Sequence, residues 1–414
     1  MKASLPEGFS LVVLNDTCEV DGGAARIAVE DARQMAARGH RVIFLSACGT
    51  PPEDGGGITW LSLGQRNILQ EPRRWLAMSR GLWNFQAASA LKRVLRGLPS
   101  GATVVHLHSW SKALSGSVLP AARACGVPVV VTLHDYFAVC PNGGLYDYPT
   151  QQACRLEPMS RRCVQRQCDS RTYAHKLWRV LRQWIWRYAA GLPARFRLAV
   201  AVSAFSQHKL SPWLHIPTVR LVENLPEAQR QPFVVEGERR FGAVYAGRVA
   251  AEKGVELYLQ ACRLAGTQGQ VWGDGPVLAE LKARWSEAVF SGWLKTAEMQ
   301  QRLRQALVLV VPSLWYETYG MVVTEAAAAG VAVIVADHGA AADLVEDGVT
   351  GLLFRAGDAA DLAEKMRYLS ENRAVAIKMG QAAYERFWAD YGLRREQRMA
   401  ALTAVYVESL DRSE

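Results

Sequence analysis

Short apolar runs recur along the chain, each followed by a longer stretch whose apolar residues return at helical spacing. Runs at 10–14, 41–46, 58–61, 103–107, 127–133, 198–203 and 219–224 predict strands. Stretches at 24–38, 71–96, 114–125 and 175–190 predict helices between them, and another begins at 205–210 before Pro212 and Pro217 break the chain. The alternation restarts after a variable linker at 228–239. Strands are then expected at 241–246, 270–272, 289–292, 307–311 and 331–336, with helices at 255–265, 277–285, 298–307, 321–329, 358–371, 373–387 and 388–410. Most of the strand runs lack polar alternation, as strands covered by helices on both faces do. Two α/β halves with right-handed crossovers follow. The division expected is 1–217, 218–387 and a closing helix at 388–414.

Candidate chemistry sits at the carboxyl ends of these strands, where open parallel sheets bind ligands. After 307–311 come Glu317, then Gly320, Met321 and Val322 at the start of a helix, then Glu325. Unpaired amides at a helix start attract anions, and carboxylates beside them suit polyol hydroxyls. Together they suit a nucleotide-sugar. Spacing alone is equally consistent with Glu317 as a helix cap and Glu325 as a solvated helix residue. Arg248 and Lys253 span the turn after 241–246, where cations and helix amides together can neutralise a diphosphate. The pair Gly22 and Gly23 opens the first helix, and Gly273 and Gly275 flank a turn after 270–272. Neither place has a G-x-G-x-x-G dinucleotide fingerprint. His108 and His134 end two strands of the first half, and Asn224 ends its last predicted strand.

At 414 residues the chain has room for two domains of ordinary size. It shows no charged-then-apolar leader pattern and no apolar run long enough to span a bilayer, so a cytoplasmic protein, or one peripheral on the inner membrane, is expected. Of the eight cysteines, Cys140, Cys154, Cys163 and Cys168 fall close together in a loop at 140–168, a set that could hold structural zinc, though without any C-x2-C pair. The net charge of +9 is concentrated: ten Lys or Arg and a single acid, Asp169, lie between Arg161 and Arg197. Within this segment 171–190 reads as a basic amphipathic helix. Leu177, Trp178, Leu181, Trp184, Ile185 and Tyr188 share one face; Lys176, Arg179, Arg182, Gln183 and Arg187 share the other. An anionic membrane surface is the expected partner, with Trp178, Arg179, Arg182, Trp184 and Arg187 as contacts. A helix packed on its own domain is the competing reading, and no motif supports nucleic acid.

The stretch from Glu317 to Glu325 resembles the E-x7-E signature of retaining GT-B glycosyltransferases of family 4. Trp315-Tyr316, Gly330, Gly339 and the run 348–353 match its surroundings. Gly247-Arg248 with Glu252-Lys253-Gly254 resembles the family's diphosphate element, and His134-Asp135 its His-bearing strand end. The resemblance implies two Rossmann-like domains facing each other across a cleft. It also implies Glu317 against the transferred sugar, Glu325 on the ribose, the amides between them on the diphosphate, and the turn at 273–276 beside the base. The Gly22-Gly23 loop would face donor phosphate and acceptor, and His134 would approach the donor sugar. No D-x-D occurs, and no cofactor is expected for catalysis. Transfer from a nucleoside diphosphate sugar to a glycan or lipid-linked acceptor is therefore expected, in bacterial surface polysaccharide or glycolipid synthesis. The alternatives are a silent membrane or polyanion binder on this scaffold, or a nucleotide-cofactor oxidoreductase.

Overall fold

The strands are β1 (Ser10–Thr17), β2 (Arg41–Cys48), β3 (Ile58–Ser62), β4 (Thr103–Leu107), β5 (Val129–Leu133), β6 (Tyr146–Asp147), β7 (Gln152–Ala153), β8 (Leu198–Ala201) and β9 (Val219–Leu221). They continue as β10 (Phe241–Ala246), β11 (Gln270–Trp272), β12 (Val289–Gly292), β13 (Ala306–Val311), β14 (Ala332–Ala336) and β15 (Gly351–Phe354). The computed structural model describes residues 4–411 except Asp21, Asp54, Arg195, Arg197, Pro217, Glu236 and Glu238. Arg195 and Arg197 of the basic segment thus lie outside the described residues.

Two parallel sheets result, in the orders β3-β2-β1-β4-β5-β8-β9 and β12-β11-β10-β13-β14-β15. In each, the chain winds outward from a central strand and then returns to that strand's other side. The reversals fall between β1 and β4, and between β10 and β13. Both are topological switch points, where loops part and leave a crevice. The apolar runs explain themselves in β13: Val308 and Val310 pack into one core layer, Leu309 and Val311 into the layer on the opposite face. Burying each such side chain contributes about 1.5–3 kcal/mol, so polar alternation has no place there.

The chain divides into two compact units, 1–144 with 156–224 and 396–414, and 145–155 with 225–395. Three sequence expectations change accordingly. β9 pairs with β8, so the first unit runs to Asn224 rather than 217. The β6-β7 hairpin groups with the second unit, although it falls inside the expected cysteine loop. The helix Tyr391–Asp411 divides near Glu396, and Met399, Leu402, Val405 and Tyr406 join the core of the first unit. The helix expected over 71–96 is two, Arg74–Leu82 and Phe85–Leu95, because Asn84 turns extended and its side chain accepts the Ala87 amide as an N-cap. The helix expected over 114–125 is confined to Val118–Arg123, and Pro212 lies inside the helix Ala204–Leu214. Among the described residues no helix is long and apolar enough to cross a membrane.

Candidate active site

The second unit gathers its candidate chemistry by backbone-to-backbone contact. A Cβ on Gly273 would lie 1.8 Å from the Gly247 carbonyl oxygen, and one on Gly254 1.9 Å from that of Pro312. Only glycine lets the turns after β10, β11 and β13 come this close. The amides of Leu314 and Trp315 donate to the Glu252 carbonyl at 2.9 and 3.3 Å, fastening the turn after β13 to the turn after β10. Lys253 Nζ thereby reaches Glu317 Oε1 at 2.7 Å, and Ser313 Oγ donates to the same oxygen at 2.5 Å. The ammonium also lies over the Trp315 ring, 4.8 Å from its centroid. Burial pushes the Glu317 carboxyl up, but the Lys253 charge and the hydrogen bonds it receives outweigh this and hold it below the ordinary carboxylate value. Glu317 is thus a buried carboxylate kept ionised.

Arg248 ion-pairs with Glu252, and about half of its side chain stays exposed, so it can turn toward an arriving anion. The helix Met321–Ala329 starts from Gly320, whose φ of +104° favours glycine, and no side chain caps it. A Cβ there would come 2.9 Å from the Ala341 side chain. Glu325 is half-buried within this helix. Sequence reasoning missed Ser313 and His338; His338 Nε2 bonds the Ser313 carbonyl oxygen at 2.8 Å and so steadies the residue that donates to Glu317. A serine two residues past a buried strand, after Pro312 at the ligand edge, was the available signal for the first.

The first unit places a different set at its switch point. Asp16 at the end of β1 accepts the amides of Lys112, Ala113 and Leu114 at 2.8–2.9 Å, pinning the loop beyond β4. His106 and His108 share one face of the β4 terminus. His108 Nδ1 meets His134 Nε2 at 2.9 Å, while His106 bonds Tyr406 Oη at 2.8 Å and Thr132 Oγ1 at 2.7 Å. Burial drives His106 down to about 4, with Asp31 opposing and Arg398 adding to it; burial reinforced by neighbouring imidazoles and Arg398 takes His134 to about 3 and holds His108 well below its ordinary value. All three rings are therefore neutral at pH 7, and His134 offers a neutral hydrogen-bonding ring. Burial raises Asp135 to about 6, against the Phe137 amide that it accepts.

Asp31 and Arg398 form a buried two-bond ion pair at 2.5 and 3.1 Å. Among the described residues, Asp31, His106 and His108 bring ligand atoms within 4.8 Å of one another. The guanidinium already engages both Asp31 oxygens, so a metal ion there would face a fixed cation. Gly22 is extended and precedes the helix Gly23–Ala37, with open space where its Cβ would lie. Asn224 is buried at the end of the first unit, its Oδ1 without a hydrogen-bond partner.

Comparison with known proteins decides the family. A model described as Glycosyltransferase Family 4 matches residues 21–225, and one described as Glycosyl transferases group 1 matches 227–386. Alpha-maltose-1-phosphate synthase of Mycobacterium tuberculosis is 30% identical over 336 residues, 71% of this chain and 76% of its own. The chain belongs to glycosyltransferase family 4. Glycogen synthase of the same organism is 27% identical over 401 residues, 90% of this transferase and 88% of its own length. The solved structure of Anabaena HepE with UDP and glucose superposes with a TM-score of 0.65 at 16% identity, covering 96% of this chain and 100% of that one. Sucrose-phosphate synthase from Thermosynechococcus elongatus gives 0.67 at 18%, with coverage of 96% and 100%. These two likenesses show the GT-B fold.

The transferase corrects one further expectation. Its basic helix, Tyr173–Ile185 with a π-type last turn at Trp186–Ala190, turns its polar face inward. Arg182 is buried, donates to the carbonyls of Ser111 and Pro141 at 3.2 Å each, and lies between the rings of Phe137, Trp178 and Trp186. Arg179 pairs with buried Asp169 at 2.9 Å. Neither is placed to meet a membrane; Trp184 and Arg187 are exposed, and Trp178 is half-buried. Cys140, Cys163 and Cys168 are buried in the first unit beside Lys176, whose Nζ lies 3.6 Å from Cys163 Sγ. Cys154 lies in the segment 145–155 that groups with the second unit.

Proposed function

We propose that this transferase moves a hexose from a nucleoside diphosphate hexose to a glycan or lipid-linked acceptor, with retention of anomeric configuration. The observation that carries the reading is the Lys253–Glu317 pair beside the uncapped helix start at Gly320. A diphosphate needs fixed positive charge and amides; a sugar needs an ionised acceptor for its hydroxyls. The second unit supplies both at one switch point.

In this reading Arg248, Lys253 and the amides of Gly320, Met321 and Val322 neutralise the diphosphate as negative charge develops on it. The anomeric C–O bond to phosphate breaks, the bond to the acceptor oxygen forms on the same face, and the acceptor proton passes to the leaving phosphate oxygen. Glu317 orients sugar hydroxyls and forms no covalent bond to C1. Glu325 takes the ribose hydroxyls, and Gly273 and Gly275 border the base. His134 donates or accepts as a neutral ring, because a charged imidazole is disfavoured in its surroundings. UDP is the favoured carrier, since HepE, UDP-bound in its solved structure, shares the fold. A role in surface polysaccharide or glycolipid assembly belongs to the same proposal and is supported by the Arg- and Trp-rich segment.

A thermal-shift panel with UDP, GDP and ADP, with and without chelator, tests this. Ligand at 100 times its dissociation constant adds about 2.7 kcal/mol. Stabilisation by UDP that ignores chelator is expected. Stabilisation by none of the three would sink the reading.

A further inference from the structure

The helix Tyr173–Ile185 presents to solvent the face that such a helix normally hides. Leu177, Leu181, Trp184 and Tyr188 are 43, 48, 54 and 64% exposed, at steps of four, three and four residues. They form one stripe along the helix and its π-type last turn. Beside it, the helix Arg74–Leu82 exposes Trp75 and Met78 at 68 and 51%. The two helices pack together. Gly81 makes the approach close: a Cβ there would lie 2.7 Å from the Trp178 ring. Two outward apolar edges thus merge into one aromatic-rich patch. The inward face is fixed, because Lys176, Arg182 and Gln183 are buried and Arg182 is spent on carbonyls and rings. The helix cannot roll over without leaving the Lys176 and Arg182 charges unpartnered.

Patches of this kind, rimmed by polar groups, mark interaction surfaces. The rim here is cationic. Arg73, Arg74, Arg161, Arg162, Arg171 and Arg187 are exposed around the two helices. Arg74 lies near enough to Arg171 for its charge to disfavour that of Arg171. A second copy docked symmetrically would set this rim against its own like charges. An anionic bilayer meets both demands at once. Its headgroups match the rim, and its acyl boundary takes leucine, tryptophan and tyrosine side chains at interfacial depth. We infer that the stripe of Leu177, Leu181, Trp184 and Tyr188, with Trp75 and Met78, inserts into the interface of an anionic membrane, the arginine rim resting on its headgroups. The basic side of the helix is thereby structural, and the apolar side is the membrane anchor. The inference stands on this surface alone and holds whether or not the donor reading does.

Vesicle co-sedimentation of the full chain tests it without turnover. Phosphatidylcholine vesicles with about 30 mol% phosphatidylglycerol should retain the protein, and pure phosphatidylcholine vesicles much less, each surface cation being worth about 1 kcal/mol, or roughly fivefold. Leu181→Glu with Trp184→Glu should lower partitioning at least about tenfold. Arg74→Glu with Arg171→Glu should abolish the preference for anionic vesicles. All four positions are exposed, and unchanged thermal melting of the variants confirms folding. Wild-type binding indifferent to phosphatidylglycerol, unchanged binding of the Leu181/Trp184 variant, or a wild-type dimer that this variant dissolves would each overturn the inference.

Discussion

The two units share a parallel sheet and a switch point, yet they hold opposite electrical states there. The second keeps ions: Lys253 against Glu317, Arg248 against Glu252. The first keeps neutral rings: His106, His108 and His134, all driven far below the ordinary imidazole value by burial. Partners make the difference. Glu317 receives a cation and a hydroxyl close enough to offset its desolvation, whereas burial dominates at the imidazoles: His108 and His134 meet other imidazoles, so protonating one would set like charges together, and the Asp31 carboxylate near His106 is already engaged by Arg398. A charge survives burial only where its counterpart is built in. In the proposed reading, the second unit stabilises a leaving diphosphate and needs such charges in advance, whereas the first presents hydrogen bonds to hydroxyls and does not.

The largest effect should come from unbalancing a buried charge pair that the first unit does keep. Arg398→Met leaves Asp31 buried without its guanidinium, and urea unfolding should show a loss of about 3–5 kcal/mol. A loss under 1 kcal/mol would mean that the first unit tolerates lone charge, and the contrast would weaken. Next come Glu317→Gln and Lys253→Met, each expected to lower turnover about 10²–10³-fold, by analogy with removing one fixed transition-state contact. Glu325→Ala should chiefly weaken nucleotide binding, seen as a smaller thermal shift with the active nucleotide.

A finer test uses pH. Asp135 sits at about 6 in the folded chain, above its unfolded value near 3.8, so the folded state retains a proton between these pH values that the unfolded chain releases. Its contribution to stability is present below about pH 4 and is lost as pH rises through 6. Asp135→Asn should therefore stabilise at pH 7.5 by about 3 kcal/mol and leave stability unchanged at pH 4, measured by urea titration at both values. His106 works the other way. Its folded value is about 4, so acidification from about 6.5 toward 4 destabilises the native chain, and His106→Gln should flatten that limb. Smallest of all should be Glu408→Gln, which removes the half-buried partner of exposed Arg220 at the surface and should cost under about 1 kcal/mol.

Much of the second unit was legible in the sequence because its site is nearly contiguous. Gly247 to Gly254 and Ser313 to Glu325 are single turns leading into helices, so residue type and spacing report the geometry directly. The first unit resisted for the opposite reason. His106 finds Tyr406 and Asp31 finds Arg398 across roughly three hundred and more residues of chain, and no local pattern announces such partners. Boundaries drifted for a related cause: three residues of β9 suffice to extend a sheet, and the helix expected over 71–96 parted at Asn84 because a side chain caps the second half better than the backbone continues the first.

By itself the sequence determined the parallel α/β architecture, since runs without polar alternation can be buried only on both faces. It also determined where glycine, carboxylate and cation stand along each turn. Only the tertiary structure decided which way the Tyr173–Ile185 helix faces. A helical wheel separates charged from apolar positions but assigns no side to water. Asp169, two carbonyl oxygens, the Phe137 ring and a set of thiols, brought by other elements, join the helix's own Trp178 and Trp186 rings in drawing the charges inward, and the leucines and Trp184 are left outside.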